Sequence, residues 1–348
     1  MIFLILLLAI PAELHGADEK SFDINKLWSF FKNEFQKTYY SDREERFRMN
    51  IFASNLGTIN AHNDRAEKGL ESFTMGVNKF SDLTFDEFSS KYLGGRFRSK
   101  GFSSWFLGGP INHLADPSES LPDFLDWRES GIVSSVKNQG ACGSCWSFST
   151  VSSLESAYMK KTGNKTTLSE QNLMDCSWAE GNLGCNGGWM SDAYRTVTRL
   201  GGIMSAADYP YAGRDSISCK YTQSKAVLGV ENYATVDGLA NMKSAVAKTN
   251  VAVAMEVDNK FQHYKNGVFK SSGCKNTPKS LNHAVNLVGF GKAVIPVNTT
   301  RDGESTEVDY WLLRNSWSNS WGESGYARIQ TGQCGIEFVG FYPIIKLI

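Results

Sequence analysis

Seven cysteines, an odd number, all lie between residues 142 and 334, so disulfide pairing must leave at least one thiol free. Two of them stand three apart in Gln139-Gly-Ala-Cys142-Gly-Ser-Cys145-Trp146. The second opens a stretch with helical spacing, Phe148, Val151, Leu154 or Glu155, and Tyr158. Ser144 is expected to cap that helix. Cys145 then falls in the first turn, where unpaired N–H groups and the helix dipole favour negative charge. Such a place suits a nucleophile, because a thiolate attacks and a thiol hardly does. Other uses of a Cys-x-x-Cys pair fit less well. Thioredoxin-like redox motifs carry Trp before the first Cys, whereas Trp146 follows the second. A zinc site needs about four ligands, and no second Cys-x-x-Cys or His-x-His pair completes one. Spacing alone leaves a purely structural pair open. No metal and no organic cofactor is expected.

The 348 residues suffice for about two domains. Basic and acidic residues balance at 36 each, so no nucleic-acid partner is expected. Ile2 to Ile10 is an unbroken apolar run, too short to span a bilayer and suited to a signal-peptide core over residues 1–16. A secretory route makes disulfides expected. No other segment reads as a membrane span.

The first third contains no Cys. Glu44, Arg48, Phe52, Asn55, Ile59 and Asn63 fall on one stripe of a helix, with Glu44 and Arg48 able to pair. Trp28, Phe31 and Phe35 make an apolar stripe on a preceding helix. Gly76, Asn78, Phe80 and Asp82 alternate as on one face of a strand. Residues 94–120, rich in Gly and Ser, read as an exposed, cleavable linker. Further on, helical patterns cover 144–160, 169–176 and 189–200. Strand patterns follow at Val251–Val257, Ala284–Phe290, Tyr310–Arg314 and Tyr326–Gln330.

Two histidines are candidate bases beyond residue 120. His263, in a polar stretch, reads as exposed. His283 enters an apolar strand pattern, 138 residues after Cys145.

The Cys-Gly-Ser-Cys-Trp run is the local signature of papain and the cathepsins. The chain resembles the papain family, its cathepsin L group in particular, over nearly its whole length after the signal segment. The resemblance implies an α+β, papain-like two-subdomain fold. A helical subdomain packs on a β-barrel-like one over 121–348, behind a mainly helical inhibitory propeptide at 17–120. Within that propeptide, helices are expected at 22–70, a short strand at 73–80 and the linker at 94–120. The stripe from Glu44 and the Gly-x-Asn-x-Phe-x-Asp segment match cathepsin L-type propeptides, which cover the cleft in reverse direction. The resemblance also implies disulfides Cys142–Cys185, Cys176–Cys219 and Cys274–Cys334, leaving Cys145 free. It assigns Cys145 as nucleophile, His283 as acid and base, Asn315 as the residue orienting the imidazole, and Gln139 as an oxyanion donor. Trp317 would cover the His–Asn bond. Gly187 and Gly188 would admit a substrate backbone. Trp189, Met190, Ala254, Ala284 and Val339 would form an apolar pocket for the second residue before the scissile bond.

Two features depart from the family. Ser318 stands where Gly is usual, at a strain cost if the position needs positive φ. Asn315 lies 170 residues after Cys145, beyond the usual separation of about 130–150. The excess is read as a lengthened surface loop, Lys292–Asp309. These readings together predict a monomeric cysteine endopeptidase, lysosomal or extracellular, acting on protein and peptide substrates. Its own propeptide would inhibit it and acid would release that propeptide. Asp82 and the Glu44–Arg48 pair are the expected acid-sensitive contacts, and Asn164 and Asn298 the glycan acceptors. A non-catalytic homologue, or a protein whose prosegment is the active part, are the alternatives.

Overall fold

The computed structural model describes residues 23–94, 109–296 and 305–348. The expected signal segment, residues 95–108 of the linker and Asn298 lie outside the described residues.

Helices α1 (Ile24–Glu34) and α2 (Asp42–Glu67) begin the described chain. Asp23 and Ser41 cap them through side-chain oxygens, and Asp42, Glu44 and Glu45 place negative charge in the first turn of α2. Trp28, Phe31 and Phe52 form a small core between them, with Phe35 partly buried against it. The stripe on α2 is a template for the chain that returns across it. Arg48 Nη1 donates to Glu87 Oε2 at 2.8 Å and to the Asp82 carbonyl at 3.3 Å. Asn55 Nδ2 donates to the carbonyls of Ser81 and Leu83, and Asn63 exchanges hydrogen bonds with the backbone of Met75. Glu44 sits 3.9 Å from Arg48 and accepts instead from the Tyr40 N–H, so the expected pair is secondary to Arg48–Glu87.

The strand expected at 73–80 is shorter. β1 covers Phe73–Met75 alone. Beyond it, Asn78 Oδ1 accepts the Phe80 N–H and Ser81 N bonds back to the Asn78 carbonyl, so the side-chain amide makes a turn where alternation suggested extension. α3 (Phe85–Tyr92) follows, with a capping box between Thr84 and Glu87.

Two short strands, β2 (Ile111–Asn112) and β3 (Leu125–Asp126), precede the helical subdomain of α4 (Cys145–Thr162), α5 (Glu170–Cys176) and α6 (Met190–Leu200). The disulfides are Cys142–Cys185, Cys176–Cys219 and Cys274–Cys334, and Cys145 is free. β4 (Ile203–Met204), β5 (Ala226–Val236), α7 (Leu239–Lys248), β6 (Val251–Met255), α8 (Asn259–Gln262) and β7 (Tyr264–Phe269) come next. β8 (His283–Pro296), β9 (Ser305–Arg314), β10 (Tyr326–Gln330) and β11 (Gly340–Leu347) complete the second subdomain. Its sheet runs β1-β7-β10-β9-β8-β6-β11-β5-β2. Both ends of that path are strands from before residue 121. β8 and β9 stay paired as far as Pro296 and Ser305, so the extra residues before Asn315 extend a hairpin and leave the register at Arg314–Asn286 intact.

α4 is buried on every side from Cys145 to Ser156. A helix so enclosed needs no polar face, but its hydroxyls need partners. Ser147, Ser149 and Ser153 donate to the carbonyls of Glu170, Val285 and Thr150, and Asn250 bonds Ser152 and Ser156.

Ser318 adopts φ +73°, the left-handed region that favours Gly. A side chain there costs about 1–2 kcal/mol, offset by the about 0.4–1 kcal/mol that a Ser saves in the unfolded chain. Ser318→Gly is therefore expected to stabilise the protein by about 0.5–1 kcal/mol, measured as a rise in the denaturant midpoint with unchanged slope.

Candidate active site

Cys145 opens α4 and is fully buried. Ser144 holds the N-cap position, but its side chain makes no capping bond, and its hydroxyl meets the Tyr211 hydroxyl at 2.8 Å. Tyr211 in turn donates to the Gln139 carbonyl at 2.6 Å, tying the two sides of the loop before Cys145 together. Burial pushes the Cys145 thiol up to about 11, against the lowering effect of nearby backbone N–H groups, those of Ala284 and Gly94 foremost.

His283 is the first residue of β8, paired with Met255 of β6, while Ala284 pairs with Ala254. Its Nε2 lies 2.9 Å from Asn315 Oδ1. An amide oxygen can only accept, so Nε2 carries the proton and Nδ1 keeps its lone pair. Nδ1 has no hydrogen-bond partner among the described residues. The ring stacks on Trp317 with centroids 4.6 Å apart. Burial drives the imidazole down to about 4, with the bond to Asn315 opposing. Asn315, directly after β9, is itself held by its N–H to the Gly325 carbonyl and by the Ser316 N–H to its Oδ1.

Gln139 is held through its oxygen by the Ser316 hydroxyl at 2.6 Å, which turns its amide nitrogen toward the cleft. That nitrogen donates to the carbonyls of Cys142, 2.7 Å, and Tyr92, 2.8 Å. The chain leaving α3 thus crosses the site. The Gly94 N–H donates to the Asn282 carbonyl at 3.0 Å. A Cβ at Gly94 would approach Cys145 Sγ to 3.0 Å, and one at Gly187 would collide with the Gly94 carbonyl. Gly187 therefore leaves room for a main chain lying flat on it. Gly188 packs against Trp146 and Asn182 in the same way.

The pocket residues also meet. Met190, Ala254 and Ala284 belong to one buried cluster, with Trp189 and Val339 packed against it, and the Ala254 N–H points to the Val339 carbonyl. Asn164 is exposed just past the left-handed Gly163 that ends α4.

His263 is buried, not exposed as its polar neighbours suggested. Gly76 donates to its carbonyl, and Ser81 Oγ lies 3.5 Å from its Nδ1, so the N-terminal segment covers it. Sequence reasoning also missed Asn282, Tyr211 and the crossing segment Tyr92–Gly94. Thr84-Phe-Asp-Glu87 carried a capping-box signal that would have located α3 and its exit into the cleft. Nothing local marked Tyr211.

Comparison with known proteins agrees with this geometry. Residues 121–344 match the papain family cysteine protease model, and residues 28–88 match the cathepsin propeptide inhibitor domain. The chain belongs to the papain family of cysteine proteases. It is similar to a cathepsin L-like proteinase of Fasciola hepatica, 38% identical over 92% of this chain and 93% of that protein. It is also 41% identical to pro-cathepsin H of Mus musculus, over 89% of this chain and 88% of that protein. Among solved structures it is similar to digestive procathepsin L 3 of Tenebrio molitor, with TM-score 0.80, 35% identity, and coverage of 92% and 98% of the two chains. It is thus a cysteine peptidase with cathepsin L-like relatives and a propeptide inhibitor domain of its own.

With the cleft covered, thiol and imidazole are both held neutral. Alkylation of Cys145 by iodoacetamide at pH 7 is expected to be at least about 100-fold slower in the intact chain than after propeptide removal. Stopped labelling followed by mass spectrometry of the Cys145 peptide measures it.

Proposed function

We propose that the protein is a secreted zymogen of a cysteine endopeptidase, in which Cys145 attacks the peptide carbonyl. The observation that carries this reading is the main chain at Tyr92–Gly94. It lies on Cys145 with one carbonyl on Gln139 and one N–H on the Asn282 carbonyl, as a substrate backbone would. Removing it readmits water, so the thiolate–imidazolium pair no longer pays the burial cost that keeps both groups neutral.

In the acylation step His283 Nδ1 takes the Cys145 proton. The thiolate adds to the carbonyl, and the tetrahedral oxyanion is met by Gln139 Nε2 and the Cys145 N–H at the start of α4. His283 then protonates the leaving amine, and the thioester forms. In deacylation the same imidazole takes a proton from water, which attacks the thioester and returns the thiol. Asn315 keeps the ring in register throughout, under Trp317.

Trp189, Met190, Ala254, Ala284 and Val339 supply no charge, which favours a bulky apolar residue two positions before the scissile bond. The sequence has no His between 114 and 262 for a carboxyl-end cap and no Cys in its first 141 residues to tether a blocking peptide, which supports endopeptidase action. Lysosomal or extracellular use and glycosylation at Asn164 fit the same reading. Among the described residues no helix is long and apolar enough to cross a membrane.

Cys145→Ala is expected to abolish hydrolysis while leaving folding intact, and wild type to cleave a Leu substrate about 10–200-fold faster than its Arg counterpart. Turnover by the Ala variant, or an Arg preference, would overturn the assignment; fluorogenic dipeptides read both.

Acid release has a basis different from the expected carboxylates. Asp82 bonds Lys37 and Tyr39 inside the propeptide, not the enzyme. Burial raises the Glu87 carboxyl, but Arg48 and Thr84 outweigh it and hold the group below its usual 4.5. A depressed carboxylate gives stability above its unfolded pKa and loses it as pH falls through the folded value, below the range of mild acid. Burial pushes His263 from 6.5 down to about 4. A released, hydrated ring binds a proton below about 6.5 that the covered ring refuses, so propeptide affinity falls between pH 6.5 and about 4. His263→Gln is expected to flatten the pH dependence of processing across pH 4.5–6.5, followed by gel densitometry. An unchanged profile would exclude His263 from the response.

A further inference from the structure

The linker expected to be exposed is docked from residue 109 onward. β2 pairs in parallel with β5, Ile111 opposite Ala234 and Asn112 opposite Thr235. The His113 N–H donates to the Thr235 carbonyl at 2.9 Å, Thr235 Oγ1 to Asn112 Oδ1 at 2.8 Å, and the Ala115 N–H to Asn241 Oδ1 at 2.9 Å. Glu119 lies 3.5 Å from Lys248. Most side chains of this stretch are exposed, but His113 is 8% exposed, sunk between α7 and β11. A directed chain of hydrogen bonds runs through it. Ser244 Oγ donates to Glu119 Oε2 at 2.7 Å, so it accepts from His113 Nε2 at 3.2 Å. Nδ1, 2.9 Å from the Tyr342 hydroxyl, is left to accept from it. A second proton on Nδ1 would reverse that bond, making Tyr342 the acceptor, and would place a positive charge in a buried site that faces Lys248.

We propose that the β5 edge, with the notch formed by Asn241, Ser244 and Tyr342, is a second anchoring surface for the propeptide's own linker, and that His113 makes this anchor acid-labile. The surface lies at the opposite end of the sheet path from β1, outside both the matched propeptide domain and the cleft. A cut upstream of residue 109 leaves this anchor in place, so such an intermediate keeps its linker docked until the anchor is released. The partner that fits is an extended segment with an imidazole two positions after an edge-pairing apolar residue, as in Ile111-Asn-His113. The proposal rests on the zymogen reading for its purpose, not for its contacts.

The groups facing His113 are Lys248 and Ser244 on α7, Tyr342 on β11, and Glu119 from the linker, with Asp116 beside Glu119. Burial lowers the His113 pKa below 6.5, Lys248 adds to this, and Glu119 opposes it. A His whose docked pKa is depressed favours docking above the free value. That preference is lost as pH falls from about 6.5 toward the docked pKa, about tenfold in equilibrium constant for each unit of depression.

The test uses the full chain carrying Cys145→Ala, which cannot process itself. Hydrogen–deuterium exchange of a peptide spanning 110–116, corrected for intrinsic rates, is followed at pH 7 and pH 5. Expected are clear protection at pH 7, a fall of at least about threefold in protection at pH 5, and loss of most of that fall in His113→Gln. An unprotected segment at pH 7, constant protection from pH 7 to 5, or the same fall in His113→Gln overturns the proposal. If His113→Gln fails to fold, the His113 ring is titrated by NMR in the Cys145→Ala chain. A midpoint below 6.5 supports the proposal and one at or above 6.5 overturns it. Wild-type chain that never gains hydrolytic activity, beside a linker that behaves as stated, refutes the protease reading and leaves the anchor standing.

Discussion

The burial of α4 on all sides from Cys145 to Ser156 is the constraint on which the rest depends. A helical stretch with no solvent face cannot slide without stranding its hydroxyls, and each stranded group costs about 1–3 kcal/mol. Ser149 bonds Val285, and Asn286 Nδ2 reaches both the Ser149 carbonyl and Asn250 Oδ1. These bonds run from the helix that carries Cys145 to the strand that carries His283. The two residues lie in different subdomains, yet their relative position is set by buried polar contacts a few residues away from each. Ser316, next to Asn315, then bonds Gln139.

The propeptide exploits both halves of this frame. At the cleft it offers main chain to Gln139 and Asn282 and keeps the thiol and imidazole dry. Occlusion and electrostatic silencing therefore have one cause. At the sheet, segments from before residue 121 supply both ends of the path, β1 on β7 and β2 on β5. Edge strands present unpaired N–H and C=O groups that readily recruit other chains. The edges of β7 and β5 are covered in this way by chain that precedes the peptidase domain.

The two histidines at these edges, His263 just before β7 and His113 just after β2, are both buried, the first within reach of Ser81 and the second between Ser244 and Tyr342. Glu87, ion-paired with Arg48, is held below the usual carboxylate range and so keeps its charge in mild acid. Imidazole is the side chain whose unperturbed titration lies closest to a mildly acidic compartment.

Local pattern determined a good deal. The odd cysteine at a helix start, the α2 stripe from Glu44 to Asn63, the helices at 144–160, 169–176 and 189–200, and Tyr326–Gln330 as a strand could be read from spacing, because period and capping are local properties. The meeting of Cys145, His283, Asn315 and Gln139 came from resemblance to a family, not from periodicity. Tertiary structure decided what depends on a distant partner. His263 looked exposed beside Gln262 and Lys265, but Gly76 and Ser81 cover it. Gly76–Asp82 looked extended, but Asn78 folds it into a turn against α2. Arg48 found Glu87 across the domain in preference to Glu44 one turn away. The stretch from 109 looked like free linker, since its side chains are mostly polar or exposed, yet its backbone pairs with β5 and its one histidine is buried. Burial is a relation between segments far apart in the chain, and no single segment carries its record.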